Sequence, residues 1–202
     1  MRGASQKICR GLRWLILLLP AGLLHGAGCG PISPSAVEIS AIPLVGVDDS
    51  KVDARDWTSR AALTVFIFFS AHCHSLDAHD GRVRALFDAY RGRGVQFVMV
   101  DSETAGSLET DSAEAKRRAY PFPIVQDRGA RLARALGAKY ATYTVVADAR
   151  GRIRYRGGLD SDRVHLHKDA TFFLRDALDD LLADRAPRVP EAKTLGCTLA
   201  TD

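Results

Sequence analysis

The sequence predicts an α/β domain with a central mixed sheet flanked by helices. Three observations carry that expectation. "LTVFIFFS" (63–70) and "VQFVMV" (95–100) are unbroken runs of β-branched, aromatic and other bulky residues, the pattern of strands covered on both faces. Between them Val83, Leu86, Phe87 and Tyr90 recur at helical spacing, so strand, helix and strand form a crossover unit, which is by default right-handed and parallel. Downstream, "TYTVVA" (142–147), the turn "DARG" and "RIRYRGG" read as an antiparallel hairpin, which makes the sheet mixed.

The other elements follow in chain order. "AVEIS" (36–40) is a candidate first edge strand. Gly92 and Gly94 supply stop signals after the crossover helix. "DSAE" (111–114) has capping-box spacing and opens a polar helix that "YPFP" ends near Tyr120. A short helix follows Asp127, with Leu132 and Leu136 on one side and Gly137 as its stop. The last helix begins after Asp169, carries Leu174, Ala177, Leu178, Leu181 and Leu182 on one face, and is stopped by Pro187. Phe66, Phe68, Phe69, Phe172 and Phe173 are expected in the core, and Gly157-Gly158 in a turn that ends the hairpin.

At 202 residues, 47% hydrophobic and 26% charged, the chain has the balance of one ordinary globular domain. Its first 28 residues read as an export signal. Arg2, Lys7, Arg10 and Arg13 precede the apolar run "WLILLLPAGLL" (14–24), and small residues follow. That run is shorter than the ~20 residues of a membrane helix and is interrupted by Pro20. "GAGC" then resembles the lipobox of bacterial lipoproteins, with Gly26 where leucine is usual, and implies lipid on Cys29. The expected organisation is a signal peptide (1–28), a tether (29–36), a domain (37–186) and a tail (187–202) carrying Cys197. The expected location is the cell envelope or periplasm, anchored to a membrane at Cys29.

The signal segment holds the whole charge excess. Without its four basic residues the 28 fall to 24, against 24 acidic, so the basic pI says nothing about nucleic acid. Cys9 leaves with the signal and Cys29 is either lipidated or at the amino end of the mature chain, which leaves Cys73 and Cys197. In an oxidising compartment such a pair can form a disulfide.

"FFSAHCHSLDAH" (68–79) is the chemical feature of the chain. Cys73 falls between the end of a buried strand and the first turn of a helix, where unpaired backbone N–H groups and the helix dipole favour thiolate. His72 and His74 flank it and would lower its pKa when protonated or act as bases when neutral. Asp77, one turn on, would raise it. A regular helix carries His79 away from the thiol, as a solvent-exposed residue. "HLH" (165–167) reads as a loop with solvent-facing rings, and "AKRR" (115–118) as a solvated helix face. A copper or zinc site at Cys73, His72 and His74 is the alternative for this motif.

Strand, helix, strand, helix, hairpin and closing helix is the element order of a thioredoxin-like domain. "VFIFFSAHC", "GVQFVMVD", "YPFPIVQDRGARLARALGAKYATYTVVADARGRIRYRGGLD" and the terminal "TLGC" resemble the redoxin branch of exported thioredoxin-fold proteins, over roughly residues 37–199. The resemblance implies thiol redox chemistry on a peroxide or a protein disulfide, with an external thiol as reductant. Two departures stand out. Thioredoxin-type enzymes carry C-x-x-C, and Leu76 fills the second cysteine's slot; Thr142 aligns with their cis-proline. The peroxiredoxin pattern Pro-x-x-x-Thr-x-x-Cys keeps a hydroxyl at Ser70 but has Phe66 for its proline. Under this resemblance Cys73 is the nucleophile, Ser70 orients the oxidant, His72 or His74 tunes the sulfur, and Cys197 is a candidate resolving thiol. A structural Cys73–Cys197 bridge and a non-catalytic thioredoxin-like binding module are the alternatives.

Overall fold

The computed structural model describes residues 38–202; the signal and tether segments with Cys9 and Cys29, and the first two residues of "AVEIS", lie outside them. Seven strands form one mixed sheet in the order β2-β1-β5-β4-β3-β6-β7. At its centre, β3 (Leu63–Phe69) is buried at all seven positions. It pairs in parallel with β4 (Val95–Asp101) through the crossover helix α2 (His74–Tyr90). This is the unit read from the two apolar runs.

The expected hairpin is present as β6 (Thr144–Asp148) and β7 (Ile153–Gly157), with β6 antiparallel to β3. The short helix after Asp127 is α4 (Arg131–Leu136), ended by Gly137 in the left-handed conformation. The amphipathic closing helix is α5 (Phe173–Leu182), which buries Leu174, Ala177, Leu178 and Leu181. It stops five residues short of Pro187 because Ala183 already leaves helical geometry.

The strands too short to show a period were not legible. β1 (Pro43–Gly46), β2 (Lys51–Asp53) and β5 (Ile124–Gln126) hold three or four residues each, and α1 (Ala54–Thr58) only five. The described part of "AVEIS" forms a single bridge, Glu38 to Arg152, rather than an edge strand. The third helix, α3 (Leu108–Arg118), starts four residues earlier than "DSAE" suggested. Ser107 is its cap, with Oγ accepting from the Thr110 N–H at 3.1 Å, and Asp111 is buried in the first turn.

"AKRR" is only partly a solvated face. Arg118 is 2% exposed and lies over the Phe69 ring, with Asp80 at 2.9 Å, Glu114 at 2.9 Å and Asp77 at 2.6 Å. Its guanidinium ties α3 to α2 beneath the end of β3. Phe66, Phe68 and Phe69 are core residues as expected, whereas Phe172 is only partly buried, with the guanidinium groups of Arg82 and Arg175 5.0 and 4.3 Å from its ring centroid. Among the described residues no helix is long and apolar enough to cross a membrane.

Candidate active site around Cys73

Cys73 is the N-cap of α2. Its backbone is extended, its N–H donates to the Ser70 carbonyl at 3.3 Å, and its Sγ accepts from the Leu76 N–H at 3.4 Å. The geometry read from the sequence is therefore present, but its environment is drier than a helix end at the surface. Cys73 is fully buried, and the Cys197 thiol and backbone N–H both face it. Burial, followed by the Cys197 thiol, pushes the Cys73 thiol up, against the Leu76 and Cys197 N–H groups that pull it down. With the tail in place, burial thus opposes the thiolate that the helix end favours.

Cys197 is half-buried, and both cysteines are free thiols. The tail that carries it is docked along its length. The Arg156 N–H donates to the Pro190 carbonyl at 3.1 Å, and the Ala192 N–H donates back to the Arg156 carbonyl at 3.0 Å. Further on, the Ala141 N–H donates to the Cys197 carbonyl at 2.8 Å and the Leu199 N–H to the Lys139 carbonyl at 3.0 Å. The Thr104 N–H reaches the Ala200 carbonyl at 2.8 Å. Thr142, the position aligned with the cis-proline, is held at φ +75°, and its Oγ1 donates to the Leu195 carbonyl at 3.2 Å. It thus joins the tail to the loop that leads into β6.

Ser70 is buried, and its Oγ accepts from the His72 N–H at 3.4 Å, closing the turn between β3 and α2. His72 and His74 are exposed on either side of the buried sulfur, so the three side chains of the alternative copper or zinc site do not converge. Among the described residues no group of three or more His, Cys, Asp or Glu side chains is placed to hold a metal ion. Asp77 is engaged by Arg117 at 3.0 Å and Arg118 at 2.6 Å.

His79 is the clearest correction. Instead of facing solvent it is 1% exposed, with Nδ1 2.6 Å from the Ser75 carbonyl and Nε2 3.0 Å from Asp160 Oδ1. Both neighbours accept, so both ring nitrogens donate and the ring is an imidazolium. Burial pulls its pKa down, but the bonds to Asp160 and Ser75 outweigh that and raise it. Asp160 also accepts from Arg82 at 2.6 Å and from the Asp162 N–H at 2.9 Å, and is held below the usual carboxylate range despite its burial. Arg82 and His167 continue the chain through Asp162, so one ring of "HLH" is anchored, not free. The Ser75 hydroxyl contacts the Arg163 and Leu195 carbonyls, at 2.5 and 3.2 Å, and so joins α2 to this loop and to the tail. A signal for this burial was available. Leu76, His79, Val83 and Tyr90 fall on one stripe of α2, and its other members are apolar.

A family model described as Redoxin matches residues 30–170, more than half of the chain. The chain belongs to the Redoxin family. Among solved structures, this redoxin resembles an uncharacterized conserved protein of Geobacillus kaustophilus, with 28% identity, a TM-score of 0.74, and 82% of this chain and 91% of that one covered. It also resembles a hypothetical protein of Sinorhizobium meliloti 1021, at 22% identity and a TM-score of 0.75, covering 83% and 94%. The thioredoxin domain of a thiol-disulfide oxidoreductase from Bacteroides vulgatus matches at 12% identity and a TM-score of 0.53, covering 65% and 90%, and shares the thioredoxin-like fold. No curated protein matches the sequence. The seven-stranded mixed sheet flanked by helices is thus a thioredoxin-like fold, and the family supports a thiol-based redox function in general terms.

Proposed function

We propose that this redoxin is a thiol-dependent peroxidase in which Cys73 attacks and Cys197 resolves. The observation that supports the reading is a tail, docked by its own backbone hydrogen bonds, that brings the Cys197 thiol near enough to Cys73 to shift its pKa. A motif without C-x-x-C still has a second sulfur within reach. In the first step the Cys73 sulfur attacks one oxygen of a hydroperoxide and the O–O bond breaks. Cys73 becomes a sulfenic acid, and the departing alkoxide takes the thiol proton and leaves as alcohol. The Cys197 sulfur then attacks the sulfenic sulfur, forming the Cys73–Cys197 disulfide and releasing water. An external dithiol returns both cysteines to thiols and leaves as a disulfide. Ser70, three residues before the sulfur, orients the oxidant, and the exposed His72 and His74 supply or take protons at the mouth of the site.

Export and lipid attachment at Cys29 belong to the same proposal. They rest on the basic and apolar segments before "GAGC", and they would place the disulfide chemistry in an oxidising compartment. A mass gain on a Cys29 peptide, lost in Cys29→Ser, checks this; an unmodified and fully water-soluble mature chain would refute it.

The deciding experiment is mass spectrometry of the reduced protein after one equivalent of hydrogen peroxide. The expected product is a Cys73–Cys197 disulfide, with Cys73 sulfenate accumulating in Cys197→Ser. No change at Cys73 in either protein refutes the peroxidase reading.

A further inference from the structure

Glycines line the path of the carboxy-terminal tail where it passes the site. A Cβ on Gly158 would stand 2.7 Å from the Lys193 carbonyl oxygen, and one on Gly157 would be 2.7 Å from the Ala192 nitrogen. Gly196 is tighter still. A Cβ there would overlap the Ala141 carbonyl oxygen and stand 2.9 Å from Thr142 Oγ1. Gly157-Gly158 therefore does more than end a hairpin. It makes room for an extended chain, and Gly196 is what allows that chain to lie flat where it meets the loop before β6.

The tail lies as a peptide partner would have to lie. It is extended, it takes the Ala141 N–H and the Lys139 carbonyl, and it presents a cysteine to Cys73. An extended polypeptide adding itself at this edge on its way to the Cys73 sulfur would compete with the tail for those same backbone groups. A hydroperoxide needs only a water-sized opening. Resting on the peroxidase reading above, we infer that Gly196 seats the tail in the groove an extended protein disulfide would need, and so reserves Cys73 for small hydroperoxides. With the tail displaced, the exchange open to Cys73 is a balanced one. Its thiolate attacks one sulfur of a peptide disulfide and expels the other as thiolate. Cys197 then attacks the Cys73 sulfur of the mixed disulfide and releases the second peptide thiol.

The size of the effect follows from the contacts. Undocking loses the bonds at Cys197, Leu199 and Leu195, and the overlap at Gly196 falls on backbone that no rotamer change can relieve. Loss of one or two such bonds raises the open population by roughly 10- to 30-fold. Gly196→Ala is therefore expected to react with a fluorescent peptide disulfide, and with a bulky maleimide at Cys73, about tenfold faster than the wild type. Its turnover with hydrogen peroxide should not rise in parallel, because the small oxidant does not need the groove and Cys197 resolves Cys73 only from the docked tail. Leu199→Asp, which uproots the tail from its other end, should behave in the same way. Hydrogen exchange at Ala141 and Leu199 should speed up in both variants while β3 and β4 amides stay protected, which separates undocking from loss of the fold. A wild type as fast on the peptide disulfide as both variants overturns the inference. A protein that ignores peroxide yet gains on the peptide disulfide in Gly196→Ala refutes the peroxidase reading and leaves the groove assignment standing.

Discussion

Replacing Asp160 with asparagine should destabilise the domain most at mildly acidic pH, and less as pH rises. The carboxylate is buried and serves three donors: His79 Nε2 at 3.0 Å, the Asp162 N–H at 2.9 Å and Arg82 at 2.6 Å. A side-chain amide in its place would keep one acceptor oxygen and lose the charge. Arg82 is partly exposed and retains Asp162 at 2.9 Å, so it is buffered. His79 has no such reserve, because its only other partner among the described residues is the Ser75 carbonyl. Breaking a buried pair from one side costs about 3 kcal/mol, which in a domain of this length lowers Tm by roughly 6–12 °C.

The pH dependence separates this from a packing defect. The folded pKa of His79 is raised above its unfolded value, so its contribution is fully present below the unfolded pKa and is lost as pH rises through the folded one. Asp160 has a lowered pKa, so its part is present above the unfolded carboxylate value and is lost as pH falls. Both are in place between roughly pH 4.5 and 6. In Asp160→Asn only the Ser75 carbonyl is left to oppose burial and the Arg82 charge, so the His79 pKa falls and the variant loses most in that window. Urea unfolding followed by circular dichroism, at about pH 5.5 and about pH 8.5, reads the difference. An equal loss at both pH values would refute the imidazolium assignment, as would a loss under about 1 kcal/mol at the lower one.

Two further substitutions test how the first turn of α3 is built. Ser107→Ala removes the cap that receives the Thr110 N–H and should cost about 1 kcal/mol in urea unfolding; no loss would return the cap to "DSAE". The Asp111 carboxyl is buried, and burial, then the charge of Asp101, pushes it up to about 8. A carboxyl kept protonated in the fold but free to ionise when unfolded loses stability steadily as pH rises from its unfolded value towards 8. Asp111→Asn removes that dependence, so between about pH 5 and pH 8 it should gain on the wild type by on the order of 3 kcal/mol. Parallel stability curves for the two proteins would show that Asp111 is ionised in the fold.

Much of the scaffold was legible because its signals are local. Seven bulky residues in a row can only sit at the centre of a sheet, and β3 does. The α2 stripe, the hairpin and the α5 face were equally readable. What residue type alone misjudges is the single polar side chain. His79, Arg118 and Asp111 have the character of solvent-facing or capping residues, and each is buried. The partners that make this tolerable come from elsewhere in the chain: Asp160 lies 81 residues from His79, and Asp80 lies 38 from Arg118. No local pattern carries that information.

The sequence by itself determined the mixed sheet, the place of Cys73 at the start of a helix, and the lack of a second cysteine at Leu76. These follow from periodicity and residue order, which act over a few residues. Only the tertiary structure decided that the tail lies across the site with Cys197 near Cys73, and that the sulfur is buried, which pushes its pKa up. The helix end favours the charged form wherever it is wet, but its protonation is set by what covers it. That cover is a segment more than a hundred residues further along the chain.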